Sequence, residues 1–226
     1  TTEIYTLSLH DALPIYPNSE KSQLLVIRDD KEDRSFSHQS FIQYLRAAIP
    51  YPPAWLREGL AIYFDSLQFN REIKSLVYEE NLAWLETVKS WASPPTAEEL
   101  MRHDFMDSGL DSKVYAPAAW ALVSFFLNSD SEEYRRSFYE MLVLLDTFAS
   151  APENASRLLS HLASYSGIDN IEKAYTSYIN SRQTFAALIE SGRAAYAVKN
   201  LELAEYHFLD AANLRPNRSE EHTSEL

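Results

Sequence analysis

The sequence predicts a mainly α-helical fold, with one short strand near its start and a helical hairpin at its end. Three observations carry that reading. Segment after segment places apolar residues three and four apart, the spacing that lines one helical face. A single run, Leu24-Leu25-Val26-Ile27, has the short, unbroken apolar character of a strand. Only four glycines occur in 226 residues, which leaves little room for long loops or glycine-rich phosphate cradles.

Both ends are set aside from fold reasoning. Residues 1–15, TTEIYTLSLHDALPI, read as a translated sequencing adapter, and 218–226, RSEEHTSEL, read as the other adapter translated in frame. The remainder, 16–217, is then expected to be a window of a longer gene. Without the five acids and one base of the two ends, 28 acidic and 19 basic side chains remain, a net charge of −9. An acidic chain without a basic stripe argues against a nucleic-acid partner, whose phosphates demand clustered Lys and Arg. No apolar run approaches the ~20 residues of a membrane span. The absence of cysteine excludes thiolate zinc sites and disulfides.

The elements follow in order. After the strand, a polar stretch at 29–34 turns the chain. Phe36, Phe41, Tyr44, Leu45 and Ala48 then mark a helix over 36–48. Ile49-Pro50-Tyr51-Pro52-Pro53 stops it, since proline disfavours helix in the residue before it. Pro53 suits the start of the next helix, expected to run to about 67. Another helix is expected over 79–92, closed by Ser93-Pro94-Pro95. Thr96 with Glu98 and Glu99 caps a short helix reaching about 103. A loop around Gly109 leads to 114–128, apolar throughout and therefore central, with Pro117 tolerated in its first turn. Helices follow from Ser131 to near 148, over 152–165, and over 169–180, the last two separated by Ser166-Gly167 as a C-cap.

The final segment resembles a tetratricopeptide repeat. With Gly192 on the eighth position of that 34-residue unit, Ala195, Ala204, Phe208, Ala211 and Pro216 fall on its small, aromatic and proline positions, and Leu188 on a large one. Small residues let two antiparallel helices approach, and Phe208 plugs the space between them. A single repeat cannot close its own core, so further repeats are expected after 217.

The stretch Trp55-Leu56-Arg57-Glu58-Gly59-Leu60-Ala61-Ile62-Tyr63-Phe64 fits the pattern W-x-x-E-G-x-A-x-Y-F. It resembles the glutamate-bearing helix of the peptidase MA-like group of gluzincin zinc peptidases, and the resemblance covers roughly 24–127. In that group a preceding helix carries HExxH. Two His four apart face zinc, and the Glu beside the first takes a proton from the metal-bound water. A glutamate from the next helix completes the ligand set. By that resemblance Glu58 stands at the distal ligand and His38 at the first. Gln39 occupies the base position and Ile42 the second ligand. A neutral amide is no base near neutral pH, and an aliphatic side chain binds no cation.

Each of these residues also has a plainer reading. His38 serves as an ordinary polar residue, Glu58 pairs with an arginine, Gly59 permits close helix packing, and Tyr115 packs in the core. In an active relative, a tyrosine at Tyr115 would stabilise an oxyanion. The expected organisation is a partial peptidase MA-like domain over 16–128, a helical extension over 129–183 and a repeat-like hairpin over 184–217. Two functions follow. One is a non-catalytic module without a cofactor, binding a protein or peptide through the repeat or the former cleft. The other is a zinc metallopeptidase with an altered ligand set that keeps His38 and Glu58.

Overall fold

The computed structural model describes residues 35–71, 73–78, 80–102 and 112–214. The expected strand at 24–27, the loop around Gly109, Pro216 and both adapter-like ends lie outside them. The described part is mainly helical, with one two-stranded hairpin. Its centre is α5 (Ser112–Asn128), buried on nearly every side from Tyr115 to Phe126. A helix that is apolar all round must be enclosed. Against it pack α2 (Ala54–Asp65), α3 (Leu82–Ser90), α4 (Ala97–Arg102), α6 (Glu132–Leu144) and α8 (Ile168–Ser181). One apolar cluster runs from Ala54 to Ile179, so the helices after Asn128 share a core with those before it.

Helix α1 (Ser35–Ala48) lies against α2. Its expected bounds differ from the observed ones by one residue. Pro53 is the N-cap of α2. Pro117 sits farther inside α5 than expected, because that helix begins two residues earlier, at Ser112. It therefore removes a bond to the carbonyl four residues back instead of replacing a free N–H. Thr96 and Glu99 exchange the expected capping bonds at α4: Glu99 N–H donates to Thr96 Oγ1 at 3.1 Å and Thr96 N–H to Glu99 Oε2 at 2.9 Å. The Glu172 carboxylate on α8 accepts from Ala97 N–H at 2.7 Å and closes the same helix end.

Helices α6 and α3 are shorter than the sequence reading. Helix α6 stops at Leu144, four residues early, because the Asp146 carboxylate accepts from Phe148 N–H at 2.8 Å and turns the chain. Helix α3 occupies only Leu82–Ser90, capped by Asn81 Oδ1 on Trp84 N–H at 3.1 Å. Between α2 and α3 lies an antiparallel hairpin, β1 (Leu67–Asn70) and β2 (Ser75–Tyr78), which the sequence reading had not placed. Its strands are largely exposed, so no burial pattern marks them. Its turn uses Lys74 at φ +52° where a glycine would have been the usual sign.

Helix α7 (Ala151–Tyr165) packs on α4, α6 and α8, and Gly167 at φ +79° turns the chain into α8. Helices α9 (Phe185–Ala197) and α10 (Leu201–Leu214) form the terminal hairpin. Leu188, Gly192, Ala195, Ala204 and Ala211 are all buried. A Cβ on Gly192 would stand 2.5 Å from the Phe208 ring, so the aromatic occupies the space that the glycine leaves. Among the described residues, no helix is long and apolar enough to cross a membrane.

Candidate functional site

The seam between α1 and α2 holds the residues singled out from sequence. Helix α2 turns Trp55, Leu56, Leu60 and Ile62 into the core, where Trp55 meets Phe126 with ring centroids 6.4 Å apart. Gly59 lets α2 approach α5 so closely that an added Cβ would stand 2.4 Å from the Ala119 carbonyl oxygen. With that side committed to packing, Glu58 is left at the α1 seam. Phe41 on α1 stacks on Phe64 at 4.5 Å and fixes the two helices against each other. Their connection is pinned as well. The fully buried Asn154 of α7 donates to Tyr51 O and Asp146 O, both at 3.1 Å, and accepts from Asp146 N–H at 2.9 Å.

His38 Nε2 stands 3.4 Å from Glu58 Oε2, and Arg57 Nε donates to Glu58 Oε1 at 2.9 Å. All three side chains keep about a fifth to a quarter of their surface exposed, at 22%, 21% and 24% for His38, Arg57 and Glu58. Burial pushes the Glu58 carboxyl up. The His38 hydrogen bond and the Arg57 charge together outweigh that push and hold it below its ordinary value. Ile42, one turn beyond His38, is buried at 8% exposure. Gln39 is half-buried. Tyr115 is part of the apolar core and is 2% exposed.

Do these residues fit zinc? Two ligands about 2.05 Å from one tetrahedral ion stand roughly 3.3 Å apart, so the His38–Glu58 spacing by itself suits a shared metal as well as a hydrogen bond. The other donors decide against it. Ile42, where the resemblance would ask for a second ligand, offers no lone pair, and the second Glu58 oxygen is engaged by a guanidinium. Among the described residues, no three His, Cys, Asp or Glu side chains converge. The described residues at this seam do not fit a zinc ion.

Sequence reasoning missed Arg46, Arg57 and Asn154. Arg57 stood inside the quoted motif, and Arg46 lies on the His38–Ile42 face at the next helical turn, so spacing pointed to both. Nothing local marked Asn154, whose partners are eight and 103 residues away.

A second polar cluster lies where α5 meets β2 and α8. Buried Ser124 bonds to Tyr78 Oη at 3.1 Å, to Tyr178 Oη at 3.2 Å and to the Asn128 amide at 3.1 Å, while Tyr63 Oη donates to Asn128. Burial raises the Tyr78 and Tyr178 hydroxyls above their ordinary values. Neither is a base at neutral pH, so Ser124 is no activated nucleophile. The cluster joins four elements.

Residues 26–142, just over half the chain, match the family described as Protein of unknown function (DUF1570). No curated protein and no solved structure matches the chain.

Proposed function

The chain belongs to the DUF1570 family, and from that premise we propose that it is a non-catalytic, peptidase MA-like module joined to a tetratricopeptide-like hairpin, which binds a protein or peptide. The carrying observation is the occupied Glu58 carboxylate. His38 and Arg57 hold its two oxygens, while Ile42 and Gln39 stand where the resemblance asks for a ligand and a base. On that reading, the positions that would help hold a metal and take a proton from its water carry an aliphatic side chain and a neutral amide. Support for binding comes from the hairpin. Tyr196, Leu201, Leu203, Tyr206 and Leu209 are exposed there, more apolar surface than a solvated helix pair needs.

The spacing of His38 and Glu58 is the one observation that favours the metallopeptidase alternative. A proteolysis assay separates the two readings. Quenched-fluorescent peptides of mixed sequence are incubated with the protein in the presence of added zinc. The module reading expects no cleavage above the His38→Ala background. Turnover that disappears with His38→Ala and with a chelator would establish the peptidase.

A further inference from the structure

The α1–α2 seam has a charge balance opposite to that of a cation site. His38, Ile42 and Arg46 succeed one another at four-residue intervals on one face of α1. The Arg46 guanidinium lies in the field of both Arg57 and Glu58. Burial lowers its pKa, Arg57 lowers it further, and Glu58 only partly opposes them. Arg46 Nε is buried with no hydrogen-bond partner among the described residues. The Arg57 fork uses Nε on Glu58, and among the described residues neither guanidinium has a second carboxylate partner. Among the described residues of the seam, one carboxylate therefore stands against two permanent cations, a formal charge of +1.

A buried guanidinium nitrogen left unpaired in the field of a second guanidinium is an unfavourable arrangement, and an anion drawn to both relieves it. We propose that the seam binds a carboxylate of a peptide ligand, held by the forks of Arg46 and Arg57 above the His38–Glu58 pair. The planar fork matches a carboxylate through two parallel N–H bonds. The charge of +1 is matched by a monoanion, which favours a carboxylate over a doubly charged phosphate. This assignment rests on the binding-module reading and names the group that the former cleft takes. It also explains why Glu58 belongs to the site without holding a metal: it keeps Arg57 and His38 in place and sets the residual charge.

The test uses the full chain and three tetra-alanine peptides labelled at the N-terminus with an uncharged dye, read by fluorescence anisotropy. One ends in a free carboxylate, one in an amide, and one is the amide with a single internal aspartate. The expected result is binding of the free acid, the aspartate peptide or both, and binding of the plain amide weaker by about tenfold or more. Which acid binds shows whether a chain terminus or a side chain supplies the carboxylate. Arg46→Gln is expected to abolish the difference between acid and amide, and Arg46→Lys to restore part of it. Glu58→Gln is expected to strengthen acid binding, a gain that a merely structural role would not produce. Equal affinities for all three peptides, or unchanged acid preference in Arg46→Gln with its helical circular dichroism intact, would overturn the carboxylate assignment. Equal but measurable binding would leave the module reading standing. Zinc-dependent cleavage of the peptides would remove both.

Discussion

Replacing Gly59 by alanine tests how the seam is positioned. The new methyl carbon would stand 2.4 Å from the Ala119 carbonyl oxygen, 2.9 Å from the Ala119 carbonyl carbon and 2.6 Å from Val123 Cγ2. Ordinary contact needs roughly 1 Å more. The Val123 methyl can rotate away, but the Ala119 carbonyl is fixed within the α5 ladder, so α2 and α5 must separate. Such overpacking costs about 1–3 kcal/mol, and alanine returns about 1 kcal/mol of helix propensity. Because two of the three clashing atoms are backbone, the cost should fall at the upper end, for a net loss of about 2 kcal/mol. For a chain of this size that corresponds to a Tm lower by about 4–8 °C. The assay is thermal and urea unfolding followed by helical circular dichroism. Gly192→Ala is the internal control. Its methyl would meet the Phe208 ring, which is 36% exposed and free to swing outward, so its net effect should stay within about 1 kcal/mol. A Gly59→Ala protein as stable as the parent, or more stable, would refute the close approach.

Two further outcomes follow. Asn154→Ala should cost about 2–4 kcal/mol, because three hydrogen bonds around Tyr51 and Asp146 lose their buried partner. Asn154→Asp should not rescue it, since a carboxylate cannot donate to either carbonyl; urea unfolding of both variants measures this, and a loss below about 0.5 kcal/mol would contradict it. The second outcome concerns pH. Glu58 has a lowered native pKa, so its stabilising contribution is complete above the ordinary carboxylate value and is lost as pH falls through the lowered one. Glu172, raised by burial, runs the opposite way, so the useful quantity is the parent minus Glu58→Gln. That difference should be largest near neutrality and shrink in acid, and a difference independent of pH would count against the ion pair.

Much of the helical fold was legible because amphipathic spacing and caps are local signals. Thr96 with Glu99, Pro53 before α2 and Gly167 before α8 each announce a helix end through their own backbone chemistry. The β1–β2 hairpin was not legible, because its exposed strands bury no alternating face and its turn carries Lys74 at positive φ in place of glycine. The early end of α6 was hidden for a related reason, since an Asp146 turn competes with a helix only once Asn154 anchors it from another element. At the seam, the motif placed His38 and Glu58, and the structure sets them 3.4 Å apart. What spacing could not convey was the charge around them. Arg57 looks like an ordinary surface residue until its Nε bonds the Glu58 carboxylate, and Arg46 until α1 carries it into the field of that pair.

The Glu58 carboxylate is held by His38 and Arg57 rather than by a metal. The most direct measurement is the zinc content of the full chain after loading with excess zinc and exhaustive dialysis, read by elemental mass spectrometry alongside His38→Ala. Far less than one zinc per chain is expected in both proteins. One zinc per chain in the parent, removed by a chelator and absent from His38→Ala, would contradict it.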